Sequence, residues 1–294
     1  MFERFSTYLR MIKFSHSIFA LPFAGIAFVQ ALPETSLIVQ GSVTPGFFRM
    51  LALIVVCMVA LRSAAMGFNR LADREFDAKN PRTQIREIPS GKLSTGSVWI
   101  FVILSLLVFG GAAFLISTIC GMLAPIAAIV VLGYSYTKRF TWLCHFFLGA
   151  AIGLSPAATS IAMTGYPSTS ALFWAAGLAL YIAGFDILYA CQDIDFDRSI
   201  GLNSLPARFG LVPALTVARI SHILALGCFT WAAYVSRTGR VFFAFLVVVA
   251  SLFLVEHLLV RPGKLEKIPI AFFNVNAAIS SVLLAGLLVD QWIH

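Results

Sequence analysis

Residues 47–77 read FFRMLALIVVCMVALRSAAMGFNRLADREFD. More than twenty residues, almost all apolar, run directly into Asn69, Asp73 and Asp77, spaced four apart. The apolar part is long enough to cross about 30 Å of hydrocarbon as an α-helix. If the helix continues through residue 77, the three polar residues repeat at i, i+4 and i+8 and form one oxygen-bearing stripe. Like charges at i, i+4 are destabilising alone, and a divalent cation on that stripe would relieve them. The segment therefore predicts a membrane helix that ends in a charged edge.

The rest of the chain repeats the first half of that pattern. Of 294 residues, 60% are apolar and only 12% are charged, about half the charge of an ordinary soluble domain. This excludes a soluble enzyme and a disordered chain. The excess of 21 Lys and Arg over 13 Asp and Glu belongs to a membrane surface, and no nucleic-acid partner is expected. Nine spans are expected, at 15–32, 47–68, 96–117, 119–136, 141–163, 170–190, 212–235, 241–260 and 268–290. Long unbroken apolar runs without alternation exclude a membrane β-barrel. The basic residues before residue 15 resemble the start of a secretory signal, but the eight spans that follow favour a first transmembrane helix. The five cysteines are widely spaced with no CxxC pair, so they are expected to pack rather than to bind metal or form disulfides.

Charge sets the orientation. With the N-terminus inside, cytoplasmic segments hold Arg4, Arg10, Lys13, Arg70, Arg74, Lys79, Arg82, Arg86, Lys92, Lys138, Arg139, Arg198, Arg208, Arg261, Lys264 and Lys267. The opposite face holds only Arg49, Arg237 and Arg240, and Arg62 and Arg219 fall within spans. An odd number of spans leaves the C-terminus outside.

Seven of the 13 acidic residues occupy two short stretches at cytoplasmic span ends. One carries Asp73, Glu75 and Asp77; the other carries Asp186, Asp193, Asp195 and Asp197. On a continued helix Asp186, Asp193 and Asp197 share a face, while Glu75 and Asp195 point away. Oxygen donors without nearby His or Cys suit Mg²⁺, which keeps waters and shares substrate phosphates. Asp186 lies inside a span, where an ionisable group needs a partner or a role. The two stretches are 120 residues apart, Asp73 to Asp193 and Asp77 to Asp197. That offset implies one domain over 1–294 with an internal pseudo-repeat, roughly 15–140 and 141–260, whose acidic edges face one cavity. Arg82, Arg86, Lys138, Arg139 and Arg198 sit at the same rim, and carboxylates beside cations suit a metal-bound diphosphate. Tyr134 and Tyr189 lie near these charged ends, where rings stabilise a cation or belong to an interfacial belt.

These motifs resemble the UbiA superfamily of intramembrane prenyltransferases. Asn69, Asp73 and Asp77 are similar to its NxxxDxxxD motif, and Asp193 and Asp197 to its DxxxD motif. Residues Arg82 to Gly91 resemble its RTxxRxxPxG loop, and Tyr134 to Arg139 its Y-x-x-x-K-R turn. Arg70 departs from the family, which often has Asp directly after the Asn. The entry Lys13-Phe14-Ser15-His16-Ser17-Ile18-Phe19-Ala20-Leu21-Pro22 is similar to the branch acting in futalosine-type menaquinone synthesis.

The resemblance implies an all-α bundle of nine transmembrane helices in a bacterial inner membrane, with the active site facing the cytoplasm. It implies Mg²⁺ on Asp73, Asp77, Asp193 and Asp197, and transfer of a polyprenyl group from polyprenyl diphosphate to an aromatic acid such as 4-hydroxybenzoate in quinone synthesis. A dihydroxynaphthoate acceptor is the alternative. Asn69 or Asp186 would position the acceptor, with a rim Arg or Arg62 pairing its carboxylate. An ion-coupled transporter using Asp186 and Arg62 is the rival class.

Overall fold

The computed structural model describes residues 2–12, 20–268 and 274–293. In chain order the helices are α1 (Phe2–Met11), α2 (Leu21–Ala31), α3 (Pro45–Ala72), α4 (Arg74–Lys79), α5 (Thr95–Ile116) and α6 (Thr118–Thr137). They continue with α7 (Cys144–Thr164), α8 (Thr169–Ala190), α9 (Ile194–Ser199), α10 (Leu205–Phe209), α11 (Leu211–Val235), α12 (Arg240–Leu259) and α13 (Asn276–Ile293). A two-stranded antiparallel hairpin, β1 (Ile38–Val39) and β2 (Ser42–Val43), separates α2 from α3.

Among the described residues eight helices are long and apolar enough to cross a membrane. The protein is thus a multi-pass membrane protein built of helices. The expected spans from 47–68 to 241–260 match α3, α5, α6, α7, α8, α11 and α12 to within a few residues. The expected span 268–290 overlaps α13, with 269–273 outside the described residues. Expected span 15–32 overlaps the 11-residue α2; its beginning, with most of the Lys13–Pro22 entry, also lies outside them. As expected, helix α3 continues past its apolar stretch, carrying Asn69 and Arg70 to its end at Ala72, and α4 takes up at Arg74. The second acidic stretch differs from expectation. The α8 helix stops at Ala190, and the tighter turn Cys191–Asp193 interrupts it before α9. Asp186, Asp193 and Asp197 therefore do not lie on one unbroken helix. Such a 3₁₀ turn is a common way to end an α-helix.

The chain divides into two compact units. The first comprises α1 and most of α3 through α6. Its core packs Met11, Ala64, Leu71, Leu93, Val98 and Val102 together, with the Tyr8 ring stacked 5.0 Å from Phe101. Helices α5 and α6 are joined only by Ser117, whose hydroxyl accepts from Cys120 N–H and caps α6.

The second unit holds α2, the hairpin and α7 through α13. Trp174, Tyr181, Phe229 and Phe242 are fully buried at its centre. Ser168 caps α8 by accepting from Ala171 N–H, and Asp290 caps α12 by accepting from Gly239 and Phe242 N–H. Helix α7 packs backbone to backbone on α8. Gly149 and Gly153, one turn apart on α7, lie directly against the α8 backbone at Ala179 and Ala175. A Cβ at position 149 would come within 2.2 Å of the Ala179 carbonyl oxygen, so only glycine fits. Small residues at this spacing let membrane helices approach backbone to backbone.

Candidate active site

In the first unit the acidic row sits where α3 gives way to α4. Asp73 leaves helical geometry, but the i→i+4 ladder continues across it. Asp73 N–H donates to Asn69 O at 2.9 Å, and Asp77 N–H donates to Asp73 O at 2.8 Å. The three side chains thus keep the spacing of a helix. Asp73 is 3% exposed and Asp77 5% exposed. The Asn69 amide donates to Asp73 Oδ2 at 3.1 Å. Arg86 folds back from the following loop, with Nη1 2.7 and 2.8 Å from the two Asp77 oxygens. Two buried carboxylates so close in sequence need such partners.

The loop that delivers Arg86 is internally braced. Thr83 donates its hydroxyl to Asp77 O, Asn80 Oδ1 accepts from Arg82 N–H, and Leu93 N–H closes onto Glu87 O. Gly91 supplies the left-handed φ of +73° at the last turn. Glu75 points outward and pairs with Arg74 at 3.0 Å, and Arg82 is exposed. Arg70, at the position where the family pattern often has Asp, is 4% exposed. Arg62 lies two turns earlier. Both are within electrostatic reach of Tyr134. The Nε atoms of Arg62 and Arg70 are buried and make no hydrogen bond among the described residues.

The second unit gathers the other candidates. Asp197 Oδ2 accepts from the Ser204 hydroxyl at 2.7 Å, and Asp193 and Lys138 are its charged neighbours. Ser204 also caps α10 by accepting from Ala207 N–H. The loop 200–204 is tied to the turn after α6. Asn203 N–H donates to Lys138 O at 2.7 Å, and the Asn203 amide donates to Arg139 O at 3.2 Å. Arg198 donates through Nε to Ala207 O at 2.8 Å. Arg139 and Arg198 are exposed, Lys138 and Tyr189 half-buried.

Asp186 has a partner that the sequence alone does not reveal. His145, in the first turn of α7, places Nδ1 2.7 Å from Asp186 Oδ2, and its Nε2 accepts from Leu205 N–H at 3.2 Å. Nothing in a lone histidine 41 residues upstream marks it. The available signal is its place one turn before Gly149 and two before Gly153, on the face that meets α8.

Among the described residues no three His, Cys, Asp or Glu side chains converge as a ready-made metal cage. The donor set nonetheless fits Mg²⁺. It is all oxygen, one or two carboxylates per helix end, and magnesium takes few protein ligands, filling its shell with water and phosphate.

The family model described as "UbiA prenyltransferase family" matches residues 23–280. A curated relative from Salmonella paratyphi C, named 4-hydroxybenzoate octaprenyltransferase, is 31% identical over 259 residues, covering 85% of this chain and 86% of its own. The fold is similar to a UbiA homolog from Aeropyrum pernix K1, with TM-score 0.81 and 28% identity over 94% of this chain and 98% of that one. It also resembles a UbiA homolog from Archaeoglobus fulgidus bound to GPP and Mg²⁺, with TM-score 0.71 and 18% identity over 97% and 99% of the two chains.

Proposed function

Because the chain belongs to the UbiA prenyltransferase family, we propose that it transfers a polyprenyl group from polyprenyl diphosphate to the ring of an aromatic acid of the 4-hydroxybenzoate type, for quinone synthesis. The observation that carries this reading is the row Asn69, Asp73 and Asp77 running from the end of α3 into α4, with both carboxylates buried. The name of the Salmonella relative supports the acceptor, and the GPP and Mg²⁺ in the Archaeoglobus homolog support the donor and metal.

In this reading Asp73, Asp77, Asp193 and Asp197 are the magnesium ligands. Bound magnesium supplies Lewis-acid neutralisation of the charge that develops on the diphosphate. Arg82, Arg86, Lys138, Arg139 and Arg198 pair with the remaining phosphate oxygens. They strengthen their hold as the bond from C1 to the diphosphate oxygen breaks and its electron pair leaves with the diphosphate. Arg86 exchanges Asp77 for phosphate when substrate enters. Tyr189 presents a ring to the allylic cation. Arg62 receives the acceptor carboxylate beside Tyr134; its buried Nε without a hydrogen bond supports that role. Asn69 and Asp186 orient the acceptor ring. The apolar helices solvate the polyprenyl tail and keep water from the cation. The active face lies at the cytoplasmic side of a bacterial inner membrane, with the N-terminus inside and the C-terminus outside. The chain forms a nine-helix domain whose two acidic edges descend from an internal repeat.

The test is mass spectrometry of products formed by membranes given one polyprenyl diphosphate with either 4-hydroxybenzoate or dihydroxynaphthoates. Prenylated 4-hydroxybenzoate is expected. Prenylated naphthoate alone would reassign the acceptor, and no prenylated ring would overturn the proposal.

A further inference from the structure

The hydrogen bonds around His145 fix its orientation. Its Nε2 lies 3.2 Å from the Leu205 N–H, and its Nδ1 donates to Asp186 Oδ2 at 2.7 Å. His145 is 3% exposed, while the Asp186 side chain keeps 26% of its surface open. The histidine is thus locked from behind, and the carboxylate it holds stays partly open. The lock also reaches the acidic motif. Leu205 follows Ser204, and Ser204 donates to Asp197. One short segment therefore ties Asp197, through Ser204 and Leu205, to His145 and Asp186.

We propose that His145 is a positioning residue that aims Asp186 as the base for ring-proton removal, an inference that rests on the aromatic-transfer reading above. After the ring carbon has formed its bond to C1 of the prenyl group, the ring carries one surplus proton at that carbon. Asp186 takes that proton, the C–H electron pair returns to the ring, and the carboxylic acid later releases the proton to solvent. The histidine, by holding one oxygen of the carboxylate, fixes its rotamer. An aligned base of this kind contributes about 10²–10⁴-fold, and misplacing it by about 1 Å costs roughly 10²-fold.

The experiment compares wild type, His145→Leu, His145→Gln, Asp186→Asn and the His145→Leu/Asp186→Asn double variant, purified in detergent with magnesium, polyprenyl diphosphate and the aromatic acid that wild type prenylates. Glutamine offers both an acceptor for Leu205 N–H and a donor for Asp186. His145→Leu should lose about 10²-fold in kcat with the KM for polyprenyl diphosphate unchanged. Deuterium at the reacting ring carbon should slow His145→Leu more than wild type. His145→Gln should recover most of the loss, and the double variant should be no slower than Asp186→Asn. Should His145→Leu fail to accumulate, Asp186→Asn, of nearly the same shape as wild type, carries the isotope comparison and must show the larger effect. Equal impairment of the Gln and Leu variants, multiplying losses in the double variant, or an isotope effect unchanged from wild type would overturn the proposal. A wild type that prenylates no aromatic ring would instead overturn the reading beneath it, and this one with it.

Discussion

Gly149→Ala tests whether the close approach of α7 and α8 holds the site together. The added Cβ would lie 2.2 Å from the Ala179 carbonyl oxygen and 3.1 Å from the carbonyl carbon. Ordinary contact needs about 3.5 Å, so the helices must part by roughly 1 Å. The His145–Asp186 hydrogen bond crosses the same seam one turn away at 2.7 Å. Adding 1 Å takes it beyond the usual N–H···O range of about 3.2 Å. The strain should cost about 1–3 kcal/mol of stability, and the displaced carboxylate roughly 10²-fold in turnover. Thermal unfolding in detergent and prenyl-transfer assays on the same preparation read both. The control is Gly111→Ala on α5, where an added Cβ meets nothing within 4 Å; there the exchange should be neutral or stabilise by about 0.5–1 kcal/mol. A Gly149→Ala protein that melts and turns over like wild type would refute the argument that this seam spaces the site.

Arg62→Gln should raise the KM for a carboxylated acceptor by about tenfold, the loss of one charged hydrogen bond of about 1.5 kcal/mol, and leave the KM of the same ring without its carboxylate unchanged. Steady-state kinetics with the two acceptors check this. Ser204→Ala removes both the α10 cap and the hydrogen bond to Asp197. It should destabilise by about 1–2 kcal/mol, with Ser204→Thr recovering part of it, as measured by thermal unfolding. Arg86→Ala leaves Asp77 buried without its cation. It should lower the affinity for prenyl diphosphate, read by titration in the presence of Mg²⁺, and transfer should weaken with it.

The membrane helices were legible because a span is a statement about composition over about twenty residues, and 60% apolar content writes it plainly. The row Asn69, Asp73, Asp77 was equally legible, because i, i+4 spacing survives even where α3 hands over to α4. The second acidic stretch was harder. Nothing in Ala190-Cys191-Gln192 announces the 3₁₀ turn, which arises from how the last turn of α8 tightens before α9. Partnerships were the least visible. Arg86 returns to Asp77 across nine residues of loop, and His145 reaches Asp186 across 41. The first depends on the bracing of Thr83 and Leu93, the second on glycines that let two helices touch. Both are tertiary facts that periodicity cannot report. Arg70 shows the opposite case, a residue flagged by its departure from a motif whose burial only the fold reveals.

The proposed function requires magnesium and the carboxylates of both acidic motifs. Prenyl transfer by wild type, Asp73→Ala and Asp193→Ala, each with EDTA and after Mg²⁺ is restored, tests it most directly. The account predicts that EDTA stops wild type, that Mg²⁺ revives it, and that neither variant regains transfer although both accumulate in membranes. Normal turnover in both variants, or a wild type indifferent to chelation, would contradict it.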